Sequence, residues 1–289
     1  MTDIEFYKSL SLQKIAIDDV AIGLRQVGEG DHLVFIHGFP THGYTWRKLI
    51  PRLSQHYQCH ILDLPGLGDS QWSDTTDFSS KSQARYVMKL LEKLGIEKCS
   101  LVAHDSGATV ARYIALERPE QIENLFIFNT EIPDHRPPWI PFYQKVGLWP
   151  GGPNIIRWLL SQQWFIKSPM GFKELYTDES WLEDPSNLAT YTDPVIHSQE
   201  KAIGALKYLK GIDWELVDAF KTLHKVIKAK TLILWGEDDN TFPVALGKQM
   251  IHQFDGNADF VTIKDASLLP HEEQPEAVAE EILKFVGKG

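Results

Sequence analysis

LVAHDSGATVARYIALERP, residues 101–119, reads as a strand, a sharp turn and a helix that stops near Glu117, with Pro119 just beyond it. A turn that tight brings the backbone close to itself, so the residues two before and two after its apex must be small. Centred on Asp105 those neighbours are Ala103 and Gly107; centred on Ser106 they are His104 and Ala108, and His104 is too large. The frame therefore selects Asp105, with Ser106 as the disfavoured alternative. An aspartate here could also serve only to cap the helix that follows.

The rhythm around this segment is strand alternating with helix. Residues 12–17 and 20–27 read as a leading antiparallel pair. HLVFIH (32–37), QCHILD (58–63), CSLVAH (99–104) and IENLFIFN (122–129) are short apolar runs suited to doubly buried strands. Residues 43–54 read as helical despite Pro51, and 79–95 as an amphipathic helix with a serine cap and Gly95 at its end. Such alternation implies a parallel sheet with right-handed crossovers. From Glu131 to about Lys221 no strand is convincing; prolines and Trp139, Trp149, Trp158, Trp164, Trp181 and Trp214 accumulate instead. Strands resume at KTLILWG (230–236) and DFVTIKD (259–265), and a helix over 272–286 closes the chain. The expected organisation is an α/β core of 1–130 and 222–289 with a helical cap of 131–221. A parallel sheet binds ligands at the carboxyl ends of its strands, so a cap inserted there would cover the site, its tryptophans lining or packing an apolar pocket. A cap that only adds packing area is the plain alternative.

The 289 residues, 43% hydrophobic and 24% charged, suit one soluble globular domain with an insertion. A net charge of -10 with no basic stripe argues against nucleic acid as a partner. No apolar run approaches a membrane span, and no signal peptide is read at the N-terminus. Cys59 and Cys99 lie in or beside apolar runs, as buried free thiols would, and no Cys/His metal spacing occurs. A cytoplasmic protein with a small-molecule partner is the expectation.

HGFP at 37–40, the Tyr44, Trp46 and Arg47 cluster, DLPGLGDS at 63–70, AHDSG at 103–107 and WGEDD at 235–239 recur in this order in α/β hydrolases. The chain resembles the branch of epoxide hydrolases, haloalkane dehalogenases and fluoroacetate dehalogenases that use an aspartate nucleophile. The resemblance spans most of the chain outside the cap and leans toward the epoxide hydrolases. It implies the α/β-hydrolase fold, with a mostly parallel eight-stranded sheet. It also implies a hydrolase that acts on an epoxide or halide through an aspartyl ester, with no metal or organic cofactor. On this reading Asp105 is the nucleophile, and the backbone N–H groups of Phe39 and Ser106 hold the oxyanion. Asp239 is the acid that orients the base; Asp238 is its near competitor and Glu131 a remote one. His37 stabilises its loop. Two cap tyrosines protonate the opening oxygen in epoxide hydrolases; Trp46, Tyr143, Tyr176, Tyr191 and Tyr208 are the candidate pocket residues, and packing in a cap core is the plain alternative for each tyrosine.

The last loop departs from the family. Where a Gly-His pair stands there, this chain has Ser267 and Leu268, and leucine cannot accept a proton. His271, three residues on, is the candidate base; a surface histidine beside Glu272 and Glu273 is its plain alternative. Two further readings stay open: a catalytically impaired protein that binds a small apolar ligand, or chemistry that needs only the aspartate and cap residues. Dehalogenases place a tryptophan where Ser106 stands and an asparagine where Phe39 stands, and Arg112 lies about two helical turns from Asp105, which disfavours dehalogenation.

Overall fold

A computed structural model describes residues 1–147, 149–183 and 186–288, so positions 148, 184 and 185 of the cap lie outside it. The core is an eight-stranded sheet in the order β1-β2-β4-β3-β5-β6-β7-β8. The strands are β1 (Gln13–Ile17), β2 (Val20–Val27), β3 (His32–Ile36), β4 (Gln58–Leu62), β5 (Cys99–His104), β6 (Ile122–Phe128), β7 (Lys230–Gly236) and β8 (Ala258–Ile263). β2 runs antiparallel to β1 and β4, and the remaining pairs are parallel. β5 is buried at every position and lies in the middle of the sheet, so its carboxyl end opens at the centre of one edge. Cys59 and Cys99 are both buried free thiols.

The helices are α1 (Asp3–Ser9), α2 (Ile50–Leu53), α3 (Ser80–Lys93), α4 (Ser106–Glu117), α5 (Trp139–Val146), α6 (Gly152–Leu160), α7 (Gln163–Ile166), α8 (Ser186–His197), α9 (Gln199–Lys210), α10 (Trp214–Leu223), α11 (Val244–Met250), α12 (Pro270–Glu273) and α13 (Pro275–Phe285). Helix α3 follows its sequence signals closely. Ser79 Oγ accepts from Ser82 N–H, and Gly95 (φ +69°) ends the helix with the paired bonds Gly95 N–H to Glu92 O and Ile96 N–H to Leu91 O. The helix expected over 43–54 is two pieces, a 3-10 turn at Gly43–Lys48 and α2. Pro51 lies in the first turn of α2, where its missing N–H costs nothing; it cannot sit inside one continuous helix. Helix α1 was not anticipated, although Thr2 and Glu5 form a reciprocal capping box that the sequence displays.

Between β6 and β7 the described residues form helices and turns and no strand. α6, α8 and α9 pack on one another and α5 on α9, whereas α10 leans on the 3-10 turn Ile251–Gln253 of the core. The expectation that the cap tryptophans line or pack a pocket needs correction: Trp149, Trp158 and Trp164 are more than half exposed. Trp139 lines the cavity and Trp181 stacks on Tyr176.

Candidate active site

β5 ends at His104 and α4 begins at Ser106, so Asp105 alone makes the turn. Its φ of +50° costs a non-glycine residue about 1–3 kcal/mol. The surroundings hold it there. Its N–H lies 3.0 Å from Asn129 O, and Thr130 Oγ1 donates to its carbonyl at 2.8 Å. A Cβ on Gly107 would stand 2.2 Å from His37 O, and one on Gly38 would stand 2.5 Å from Asp105 Cβ. The small-neighbour requirement thus has a physical cause at Gly107. The carboxyl makes no capping bond to α4. Its Oδ2 accepts from Phe39 N–H, in the loop after β3, at 2.8 Å and from Ser106 Oγ, at the start of α4, at 3.0 Å. Tyr208 OH, on α9, donates to Ser106 Oγ at 2.9 Å, and its ring stacks on Phe39.

Burial, and then the nearby Glu131 charge, push the Asp105 carboxyl well above the usual carboxylate range, against the opposing pull of the Ser106 and Phe39 amides. Glu131 is itself buried, with Oε2 accepting from the Thr109 hydroxyl at 2.9 Å and lying 3.1 Å from Thr130 Oγ1. Asp239 is buried after β7. Its Oδ1 accepts from Thr241 and Phe242 N–H at 2.8 and 2.9 Å, and its Oδ2 accepts from Asn129 Nδ2 at 2.6 Å. Burial pushes it up to about 7. Asp238 is exposed and accepts from Thr177 Oγ1 at 3.2 Å. His37 ties two loops together: Leu64 N–H donates to Nε2 at 2.8 Å and Nδ1–H donates to Gly38 O at 3.0 Å.

Two sequence expectations fail for positional reasons. His271 lies in the core beneath the cavity and does not line it. Thr45 Oγ1 donates its one proton to Glu272 Oε1 at 2.6 Å, so His271 Nε2–H must donate to Thr45 Oγ1 at 2.7 Å. The ring packs against Trp46, His104 and Phe128, and burial drives its proton affinity well down. It is neither the expected base nor a surface histidine. Trp46, expected in the pocket, is fully buried against Phe35, Phe128 and His271.

A cavity of about 130 Å³ separates the sheet edge from the cap. Asp105, Phe39, Leu268 and Thr241 line it from the core; Trp139, Tyr143, Glu174, Tyr191 and Leu206 are among those that line it from the cap. Of the four cap tyrosines, Tyr143 and Tyr191 reach the cavity, while Tyr176 and Tyr208 are buried beside it. Tyr143 OH donates to Met170 O. Tyr191 and Tyr176 donate to the Glu272 carboxylate at 2.6 and 3.2 Å, and Glu272 is paired with buried Arg47 at 2.8 Å. Leu268 stands where the resemblance places a histidine, its carbonyl accepting from His104 Nε2–H at 2.9 Å. Sequence reasoning missed Glu174, for which no motif gives a signal, and the Arg47–Glu272 pair, whose charges lie in separately quoted segments. Among the described residues no three His, Cys, Asp or Glu side chains converge as metal ligands would.

Residues 31–275 match the family model for the alpha/beta hydrolase fold. The chain is 27% identical to epoxide hydrolase 3 of Siraitia grosvenorii over 314 residues, covering 95% of this chain and 97% of that protein. It is also 27% identical to the uncharacterized hydrolase YugF of Bacillus subtilis (strain 168) over 271 residues, covering 88% and 89%. The solved structure of epoxide hydrolase CorEH without ligand has a TM-score of 0.79 at 23% identity, covering 96% of this chain and 99% of that one, which is a likeness of fold.

Proposed function

The chain belongs to the α/β-hydrolase fold family, and from that membership we propose that it is a hydrolase that opens a small apolar epoxide through a covalent ester on Asp105. The observation that carries this reading is the Asp105 carboxyl on the cavity wall, with Oδ2 held by Phe39 N–H and Ser106 Oγ. Oδ1 attacks a ring carbon, a C–O bond forms, and the ring C–O bond breaks onto the epoxide oxygen. That oxygen takes a proton from a cavity tyrosine, Tyr191 or Tyr143, whose hydroxyl must first turn from Glu272 or from Met170 O. Water then attacks the ester carbonyl carbon. The oxyanion forms beside the Phe39 and Ser106 amides that already favour negative charge on this carboxyl. A halide is the less favoured leaving group, because Ser106 and Phe39 replace the indole and amide side chains that would hold it. The named epoxide hydrolase among the relatives points the same way.

A second reading, capture of a small apolar ligand without turnover, is favoured by Leu268, which lines the cavity with methyl groups only. Intact-protein mass spectrometry after exposure to a panel of epoxides and haloalkanes, with D105A as control, separates the two. A hydrolysed product or an adduct mapped to Asp105 supports the ester mechanism. Tight binding with neither product nor adduct supports capture and removes the enzyme reading.

A further inference from the structure

We infer that Glu174, in the cap, is the general base that releases the Asp105 ester. This rests on the aspartyl-ester reading above. Glu174 lies in the 3-10 turn Lys173–Leu175 and lines the same cavity as Asp105, Leu268 and Thr241. Besides the nucleophile it is the only carboxylate among the described lining residues, and no described residue pairs with its side chain. Tyr143 and Tyr191 enter the reaction as acids, because burial drives their hydroxyl proton affinities upward and keeps them protonated.

The segment that carries Glu174 is fastened to the two loops that normally build the acid and base. Ser267 Oγ, next to Leu268, donates to Glu174 O at 3.0 Å. Thr177 N–H donates to Glu273 Oε1 at 2.8 Å, and Thr177 Oγ1 donates to Asp238 Oδ2 at 3.2 Å. Tyr176 OH adds a bond to Glu272. A partly exposed carboxylate is thus fixed over the place where Leu268 supplies no base, near enough to Asp239 for its charge to act there. The step balances. Glu174 takes a proton from water, and the hydroxide oxygen bonds to Asp105 Cγ. The tetrahedral adduct collapses, the Cγ–O(alkyl) bond breaks, and the departing alkoxide takes the proton from Glu174. A diol leaves, and the second water proton, left on the Asp105 carboxyl, passes to the tyrosinate formed at ring opening, which restores both carboxylates and the tyrosine.

The test compares wild type with E174Q and E174D, using whichever epoxide of the panel labels Asp105 fastest. Adduct formation is followed by quenched-flow mass spectrometry and diol release by chromatography. The expected result is adduct formation within about twofold of wild type in E174Q, a loss of about 100-fold in diol release, and an adduct that accumulates. E174D retains intermediate turnover. Diol release by E174Q at the wild-type rate overturns the inference, and so does a wild type that itself stalls at the ester; both leave Asp105 as the nucleophile. If no epoxide gives an Asp105 adduct or a diol in any variant, the ester reading falls and this inference with it.

Discussion

Asp105 is held by its neighbours in two senses. Gly107 and Gly38 leave room for its turn, since a Cβ at either would meet backbone or Asp105 itself at 2.5 Å or less. G107A should therefore cost about 3 kcal/mol or prevent folding, read as the shift of a urea denaturation curve. Glu131, beneath the turn, disfavours a second negative charge. A carboxyl must ionise to attack, so the rate of Asp105 alkylation should rise with pH and level off once ionisation is complete. E131Q removes the repulsion and should move that midpoint to lower pH. A pH-independent rate from pH 5 upward in the wild type would contradict the assignment. Leu268 is the other decisive residue. In the E174Q background, L268H places an imidazole near Asp239 and should restore diol release at least tenfold, measured by chromatography.

Among elements, helix α12 does the most to join core to cap. Its Glu272 binds Arg47 and Thr45 from the core and Tyr176 and Tyr191 from the cap. The Arg47 charge, set against full burial, holds Glu272 down to about 2. Removing one partner of a buried pair leaves the other uncompensated, so R47M should destabilise the protein by about 3–5 kcal/mol. Denaturation would read that loss, and hydrogen exchange should show faster opening at 173–178 and 186–197. Secondary structure was legible at the Ser79 cap and Gly95, and was missed at α1 despite its Thr2 and Glu5 capping box. It was misread where two signals competed: at Pro51, periodicity argued for one helix and the ring imposed two.

For the whole molecule, the buried carboxyls set the pH range of stability. Asp239 is raised from about 4 in an unfolded chain to about 7, so its contribution is full below about 4 and lost as pH rises through 7. Glu273, also raised to about 7 by burial, acts in the same direction. Glu272 is lowered, so its contribution is full above about 4.5 and lost as pH falls through 2. These limbs place maximum stability on the acid side of neutrality. A melting temperature measured from pH 3 to 9 should show this, with D239N flattening the alkaline limb and leaving the acid limb unchanged.

The sequence alone determined the sheet, the elbow frame at Asp105 and the missing histidine at Leu268. Each is written in local spacing: apolar runs bounded by turns, small residues two either side of an apex, a motif whose Gly-His pair is replaced by Ser267 and Leu268. Which cap residues face the cavity was decided only by the tertiary structure. Glu174, Tyr143 and Tyr191 line one cavity with Asp105 across long sequence separations, through a helical insertion whose packing has no motif. The same packing placed His271 under Trp46 and out of reach. Sequence distance says where a side chain can be made, and contact between layers decides what it touches.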